Sequence, residues 1–305
     1  MFLSKLLPSK GVYCVAMLNP NGGFKHFFFN QLSTAQERLY ALDRAGHTVY
    51  IAQASFDQQK INGSKAFNGT LKGLPFEEYK QKRKVLRGQV NTTHLKNFFL
   101  DIDCGEKWPI KNQKEGVTAL RKFLADTNLP FPTVVSSGNG LYAHWILKKE
   151  IPAGQWRTVA YILKDVVAKY SPEIGGDSSR TADCASVLRV PGTFNRKLGK
   201  QPKRVVLLRE SEPVVFMDFV RTLSKAAKKK KINVTKIKEP KSSSDVNSDF
   251  FAGLDQKSVP ASASKIADSC AQLDMMRTTS GDVTEPLWYA CLGILVHCVD
   301  GDKVA

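Results

Sequence analysis

Asn97-Phe98-Phe99-Leu100-Asp101-Ile102-Asp103 is an apolar run that ends in two acids. A β-strand alternates its side chains between faces, so Asp101 and Asp103 share one face and Ile102 takes the other. At a rise of ~3.3 Å per residue the two carboxylates stand about 6 to 7 Å apart, close enough to share divalent ions. Hard oxygen donors of this kind suit Mg²⁺ or Mn²⁺. A pair of such ions can activate an attacking hydroxyl and steady a leaving pyrophosphate. Taken alone, an Asp-x-Asp strand end is equally well a pair of solvated acids.

Upstream of that run, residues 12–19 suit a strand, Asn21-Gly22-Gly23 is a turn signal, and residues 24–29 can return as the second arm of a hairpin. Ser33 with Gln36 has the capping-box pattern, and Leu39, Ala41, Leu42 and Ala45 continue it as a helix before an apolar strand at 48–53. Residues 55–89 are polar, basic and rich in Gly and Asn, with 76–86 open to a helix, and read as an exposed segment near the site. Downstream, residues 114–125 form an amphipathic helix, 133–137 and 142–147 are strands around a glycine turn, and 155–170 is a helix. A short strand at 204–208 and a helix at 214–223 follow. Strands and helices mix throughout, so the expected class is α+β, with a mostly antiparallel central sheet flanked by helices.

The chain has 305 residues, 42% of them apolar, enough for one main globular domain and a second small unit. The expected layout is a catalytic domain over 1–224, a basic flexible linker over 225–264, and a small helical accessory unit over 265–305. The linker holds Lys228-Lys229-Lys230-Lys231 and the triplet Ser242 to Ser244; the last unit has Leu287, Trp288, Leu292 and Ile294 as its core. That unit is too short to stand alone comfortably and is expected to be the start of a further domain.

The formal net charge of +17 attracts polyanions. Nucleic acid fits better than an anionic membrane surface, because no amphipathic anchor is present. Six cysteines without a Cys-x-x-Cys pair or a zinc-finger histidine indicate neither a structural zinc nor a disulfide framework, so a reducing, cytoplasmic compartment is expected. Pro8, Ser9, Lys10 and Gly11 interrupt the apolar N-terminus well short of a signal peptide or a membrane span.

Two further stretches carry chemistry. Ser136-Ser137-Gly138-Asn139-Gly140-Leu141-Tyr142-Ala143-His144-Trp145 is a glycine turn between strands whose amides can form an anion nest, with His144 pointing a ring nitrogen at a phosphate. It reads equally as an ordinary hairpin with His144 in the core. From Gly176 to Lys197 the chain offers the carboxylate of Asp177, then Arg189 and Lys197 with Asn195 between them, a set suited to holding a triphosphate and its metal or to a plain basic loop.

In this order the three stretches resemble the motifs of the archaeo-eukaryotic primases, especially the primase-polymerase domains of phage and plasmid replication proteins. The hhDhD strand of that family is matched by Leu100 to Asp103, its SGxGxH turn in part by Ser137 to Gly140, and its acid before an arginine strand by Asp177 with Arg189 to Lys197. The resemblance spans roughly residues 12–223. It implies that Asp101, Asp103 and Asp177 hold Mg²⁺ or Mn²⁺, and that Ser137, Gly138, Asn139 and His144, with Arg189, Asn195 and Lys197, bind the nucleotide. Relatives carry histidine where Tyr142 stands here. His144, two residues on, shares that strand face, so either residue can take the role. Asp177 fits the family spacing better than Asp183.

The implied activity is template-dependent nucleotidyl transfer, as a DNA primase, a DNA polymerase or both, acting on single-stranded or primer-template DNA with nucleoside or deoxynucleoside triphosphates. Lys80, Lys82, Arg83, Lys84 and Arg87 are candidates to track the template backbone. Thr284-Glu285-Pro286-Leu287-Trp288-Tyr289 resembles the helical unit that often precedes a helicase in longer phage proteins, so a helicase domain is an expected partner. The rival readings are a metal-dependent nuclease and a non-catalytic DNA-binding replication-initiator module.

Overall fold

The computed structural model describes residues 2–20, 23–58, 87–175, 178–196, 201–232, 261–295, 298, 300, 301 and 304. A short helix, Phe2–Leu6 (α1), precedes a hairpin of Tyr13–Leu18 (β1) and Phe24–Phe29 (β2). Leu32–Arg44 (α2) returns the chain to Val49–Ala52 (β3), which passes through Gln53 alone into Ala54–Phe56 (β4). The long strand Thr92–Ile102 (β5) leads to Gln113–Thr127 (α3), Thr133–Ser136 (β6), Leu141–Pro152 (β7) and Ala153–Tyr170 (α4). One turn of helix, Ser178–Thr181 (α5), comes before the short strands Val187–Leu188 (β8), Phe194–Asn195 (β9), Lys203–Arg204 (β10) and Val206–Arg209 (β11). Phe216–Lys229 (α6) follows, and Ala263–Ala267 (α7), Ala271–Thr278 (α8) and Glu285–Leu295 (α9) come last. The chain divides into two compact units, Met1–Lys241 and Ser242–Ala305.

The first unit holds a four-stranded sheet of order β2-β1-β3-β8, a five-stranded sheet of order β11-β6-β7-β5-β4 and the pair β10-β9. Every neighbouring pair is antiparallel. The class is therefore α+β on antiparallel sheet, as the mixed pattern of the sequence implies.

The packing centres on β5, in which Phe99 is buried as fully as its neighbours. Phe98, Leu100 and Ile102 are all 0% exposed. Phe98 stacks on Trp156 of α4, with ring centroids 5.7 Å apart, and on Phe219 of α6 at 4.8 Å. Each such pair adds about 0.5–1.5 kcal/mol to the area it buries. Trp156 also donates its Nε1–H to the Asn97 carbonyl at 2.7 Å, which ties α4 to the strand. On the four-stranded sheet, Ala35, Leu39 and Leu42 of α2 meet Val15, Val49 and Ile51, with Leu3, Leu6 and Leu7 closing the cluster from the N-terminus. The second unit has its own small core of Ala263, Ala267, Leu273, Met276, Cys291, Leu295 and Val304.

Several element ends differ from expectation, each through packing. Ser33 and Gln36 make no capping box: α2 starts at Leu32 with Gln31 in the N-cap position and no side-chain cap, because Leu32 is drawn onto the core cluster. The cap that does form is Asn112 on α3, whose side chain accepts from Glu115 N at 3.0 Å, while Glu115 Oε2 accepts from Lys111 N at 2.9 Å. β5 begins five residues before the expected strand, because His94 and Leu95 pair with both β4 and β7 before a bulge at Leu95 to Asn97. α6 continues past residue 223 because Ala226 and Ala227 are buried, so Lys228 and Lys229 lie on its last turn rather than in a linker. The helix considered at 76–86, and Asn21 and Gly22 of the turn signal, lie outside the described residues. Among the described residues no helix is long and apolar enough to cross a membrane.

Candidate active site

β5 delivers its acids to the edge of the five-stranded sheet. Leu100 and Ile102 face the helices, so Asp101 is turned to the opposite face, and Asp103 is the first residue past the strand end. The Asp101 side chain is mostly buried, at 11% exposure, and its Oδ2 lies 3.5 Å from Arg180 Nη1 of α5. The third stretch is thus carried to the first by the helical turn directly after residue 177. Asp177 itself and Lys197 lie outside the described residues. No cluster of three metal-ligating side chains occurs among those described.

The glycine turn is locked against this strand end. At Gly140 an added Cβ would lie 2.3 Å from the Ile102 carbonyl oxygen, so only glycine lets the turn approach so closely. Gly138 has φ +94°, and a Cβ there would lie 2.8 Å from that of Asn195. Gly140 N donates to Ser137 Oγ at 3.1 Å, Gly138 N to Ser136 Oγ at 3.3 Å, and Asn195 Nδ2 to the Ser137 carbonyl at 2.7 Å. Gln113 Nε2 adds bonds to Ser136 Oγ at 2.8 Å and to the Gly140 carbonyl at 3.0 Å. Two amides of the expected nest are therefore engaged by the turn's own serines. Ser137 and Asn195 are buried and shape the turn, while Gly138 and Asn139 line a cleft of about 620 Å³ together with Lys107, Trp108, Lys111 and Lys203.

Tyr142 and His144 are both buried and differ in the partners they meet. Tyr142 is the Cα partner of Asp101 across β5 and β7, and its hydroxyl accepts from Arg189 Nη1 at 3.5 Å. Burial raises its pKa far above the usual tyrosine range, the Asp101 charge adds to the rise, and Arg189 opposes it, so the phenol keeps its proton. His144 lies two pairs further along, opposite Phe99, with its Nδ1 3.1 Å from Asn97 Oδ1 and its ring against Phe2 and Tyr142. Burial lowers its pKa to about 3, so the ring is neutral. It sits in the core, 2% exposed, and the open cleft contains no part of it.

In the third stretch Arg189 bridges the two sheets: Nη2 donates to Tyr50 Oη at 2.7 Å and the guanidinium lies 4.6 Å from the Tyr50 ring centroid. Arg196 is drawn away to Asp43 of α2. Asp183 is engaged by Gln89, from the turn before β5, and by its own loop, accepting from Gln89 Nε2 and Ala185 N at 3.0 Å each and from Ser186 Oγ at 3.3 Å. Arg180 and the residue 104–112 loop of the cleft were not singled out by sequence reasoning. The available signal for the loop was its run of Lys107, Trp108 and Lys111 beside the Asp101 strand.

No family model and no curated protein matches the chain. Solved structures similar to it include the archaeo-eukaryotic primase domain of the cyanophage S-2L primase-polymerase, 12% identical, covering 70% of this chain and 89% of that one, at TM-score 0.41. Primase RepB′ is similar at 13% identity over 99% of this chain and 81% of that one, TM-score 0.41. The catalytic domain of RepB′ in complex with initiator DNA is similar at 13% identity over 74% and 90%, TM-score 0.41.

Proposed function

We propose that the chain is a nucleotidyltransferase that joins nucleotides on a DNA template, as a primase, a polymerase or both. The observation that carries this reading is convergence: the acidic end of β5, the Gly138 to Gly140 turn and Arg180 meet at one sheet edge, although they lie far apart in sequence. Two carboxylates from one strand face fit a hard divalent ion in donor type, and Asp177 is proposed as the third ligand. Mg²⁺ or Mn²⁺ held there would acidify the attacking hydroxyl and bridge the triphosphate.

The remaining roles fall to the chain's own groups. Arg180, 42% exposed beside Asp101, and Arg189 offer guanidinium charge to a triphosphate. Asn139 and Lys203 line the adjoining cleft on the side of the turn. Ser137, Gly138 and Asn195 act by fixing the turn, and His144 by packing in the core against Phe2 and Tyr142. The net charge of +17 supports DNA as the polyanion bound.

The test is incubation with single-stranded DNA, labelled nucleotides and Mg²⁺ or Mn²⁺, with and without primer, using wild type and an Asp101→Asn, Asp103→Asn double variant. Template-dependent products from wild type alone are expected. Degradation of the DNA without added nucleotides would replace this reading by a nuclease. Absence of any product, with equal DNA binding by both proteins, would leave a non-catalytic binding module.

A further inference from the structure

β2 reads Phe24-Lys25-His26-Phe27-Phe28-Phe29, and its alternation splits the rings between two faces. Phe27 and Phe29 pack on the cluster under α2. Phe24, His26 and Phe28 turn to the other face, and all three are only half-buried on the edge strand of the sheet. Phe24 and His26 stack with centroids 6.2 Å apart at 30°, His26 and Phe28 follow at 6.4 Å, and Phe24 meets the Tyr50 ring edge-on at 5.4 Å. Ala16 lies opposite both His26 and Tyr50, so a methyl group forms the floor between rings on β2 and β3.

Two arginines lie against this row, Arg87 at His26 and Phe24 and Arg189 at Tyr50. Arg87 Nε donates to His26 Nε2 at 2.8 Å, and its guanidinium lies 5.7 Å from the Phe24 ring centroid. Arg189 stacks on Tyr50 and reaches Tyr142, the strand partner of Asp101. The rings are thus linked side chain by side chain to the acidic end of β5.

We propose that Phe24, His26 and Phe28 form a stacking platform for unpaired nucleobases of the template strand, with Arg87 facing its phosphates. The identification of that strand as the template rests on the nucleotidyl-transfer reading. Nucleobases fit because aromatic side chains stack on any base without reading its edge, and guanidinium groups complement the phosphates between bases. Three half-buried rings with a guanidinium against them suit a polyanion that also presents flat apolar faces, as single-stranded nucleic acid does.

The test is fluorescence anisotropy on the full chain with a labelled thymidine oligonucleotide and an abasic oligonucleotide of the same length, with no metal or nucleotide present. Phe24→Leu and Phe28→Leu are each expected to weaken thymidine binding about tenfold and to leave abasic binding within about twofold. Phe24→Trp restores the thymidine affinity, and Phe27→Leu, on the opposite face, changes neither. Unchanged thymidine binding by both leucine variants, or equal losses on the two oligonucleotides, overturns the platform. The two readings fail separately: base-dependent binding without synthesis sinks nucleotidyl transfer alone, and synthesis by a protein whose Phe24→Leu variant binds normally sinks the platform alone.

Discussion

Tyr142 and His144 stand two residues apart on β7, and burial acts on them in opposite senses: the phenol holds its proton and the imidazole refuses one. The folded imidazole has a pKa of about 3 against an ordinary 6.5, so the unfolded chain binds the proton first as the pH falls. Stability is therefore complete above about 6.5 and drains away below it, by up to ~1.4 kcal/mol for each pH unit. Thermal denaturation at pH 7 and 5.5 should show a larger loss for wild type than for His144→Gln, whose amide can still bond Asn97. Equal losses would place the proton uptake elsewhere. Alternation in the sequence puts both residues on one face but does not show which neighbours each meets there, so either could take the role on sequence alone. What buries His144 is Phe2 of α1, and that short helix is the product of tertiary packing of the N-terminal leucines.

At the level of elements, the site depends on two backbones touching where β5 ends. Gly140→Ala would push its new methyl into the Ile102 carbonyl oxygen, forcing the turn off the strand. The expected cost is about 1–3 kcal/mol of stability, as for other overpacking substitutions, with a larger fall in nucleotide incorporation than in DNA binding. Denaturant melts with parallel incorporation and binding assays check this; a variant that is stable and fully active would show that the contact does not position the turn. The strands around this junction were legible because period-two alternation is strong in residues 97–103 and 142–147. Their ends were not, since β5 extends back to Thr92 only by pairing with β4 and β7, and those partners come from distant parts of the chain. The α2 capping pattern failed for the same kind of reason: burial of Leu32 onto the core outweighs a local hydrogen bond worth about 1 kcal/mol.

Across the whole molecule the two compact units divide the labour in the proposed function. Every side chain assigned to chemistry lies in Met1–Lys241, while Ser242–Ala305 has a separate core. A chain ending at Lys241 should accordingly retain template-directed incorporation within about twofold, measured in the same assay as the full chain; a large loss would give the second unit a part in the reaction. The interleaved strand and helix patterns foretold the α+β class and composition the basic balance, but neither shows which groups converge, because that depends on α5 folding back to set Arg180 beside Asp101. Asp101 lies beside Arg180 on the strand end that meets the turn, whereas both oxygens of Asp183 accept from its own loop. The most direct test is the initial rate of primer extension by Asp101→Asn and Asp183→Asn beside wild type. The account expects Asp101→Asn to lose about a hundredfold or more and Asp183→Asn to keep most of the rate. An active Asp101→Asn enzyme, or an Asp183→Asn variant that folds normally and is equally dead, would contradict it.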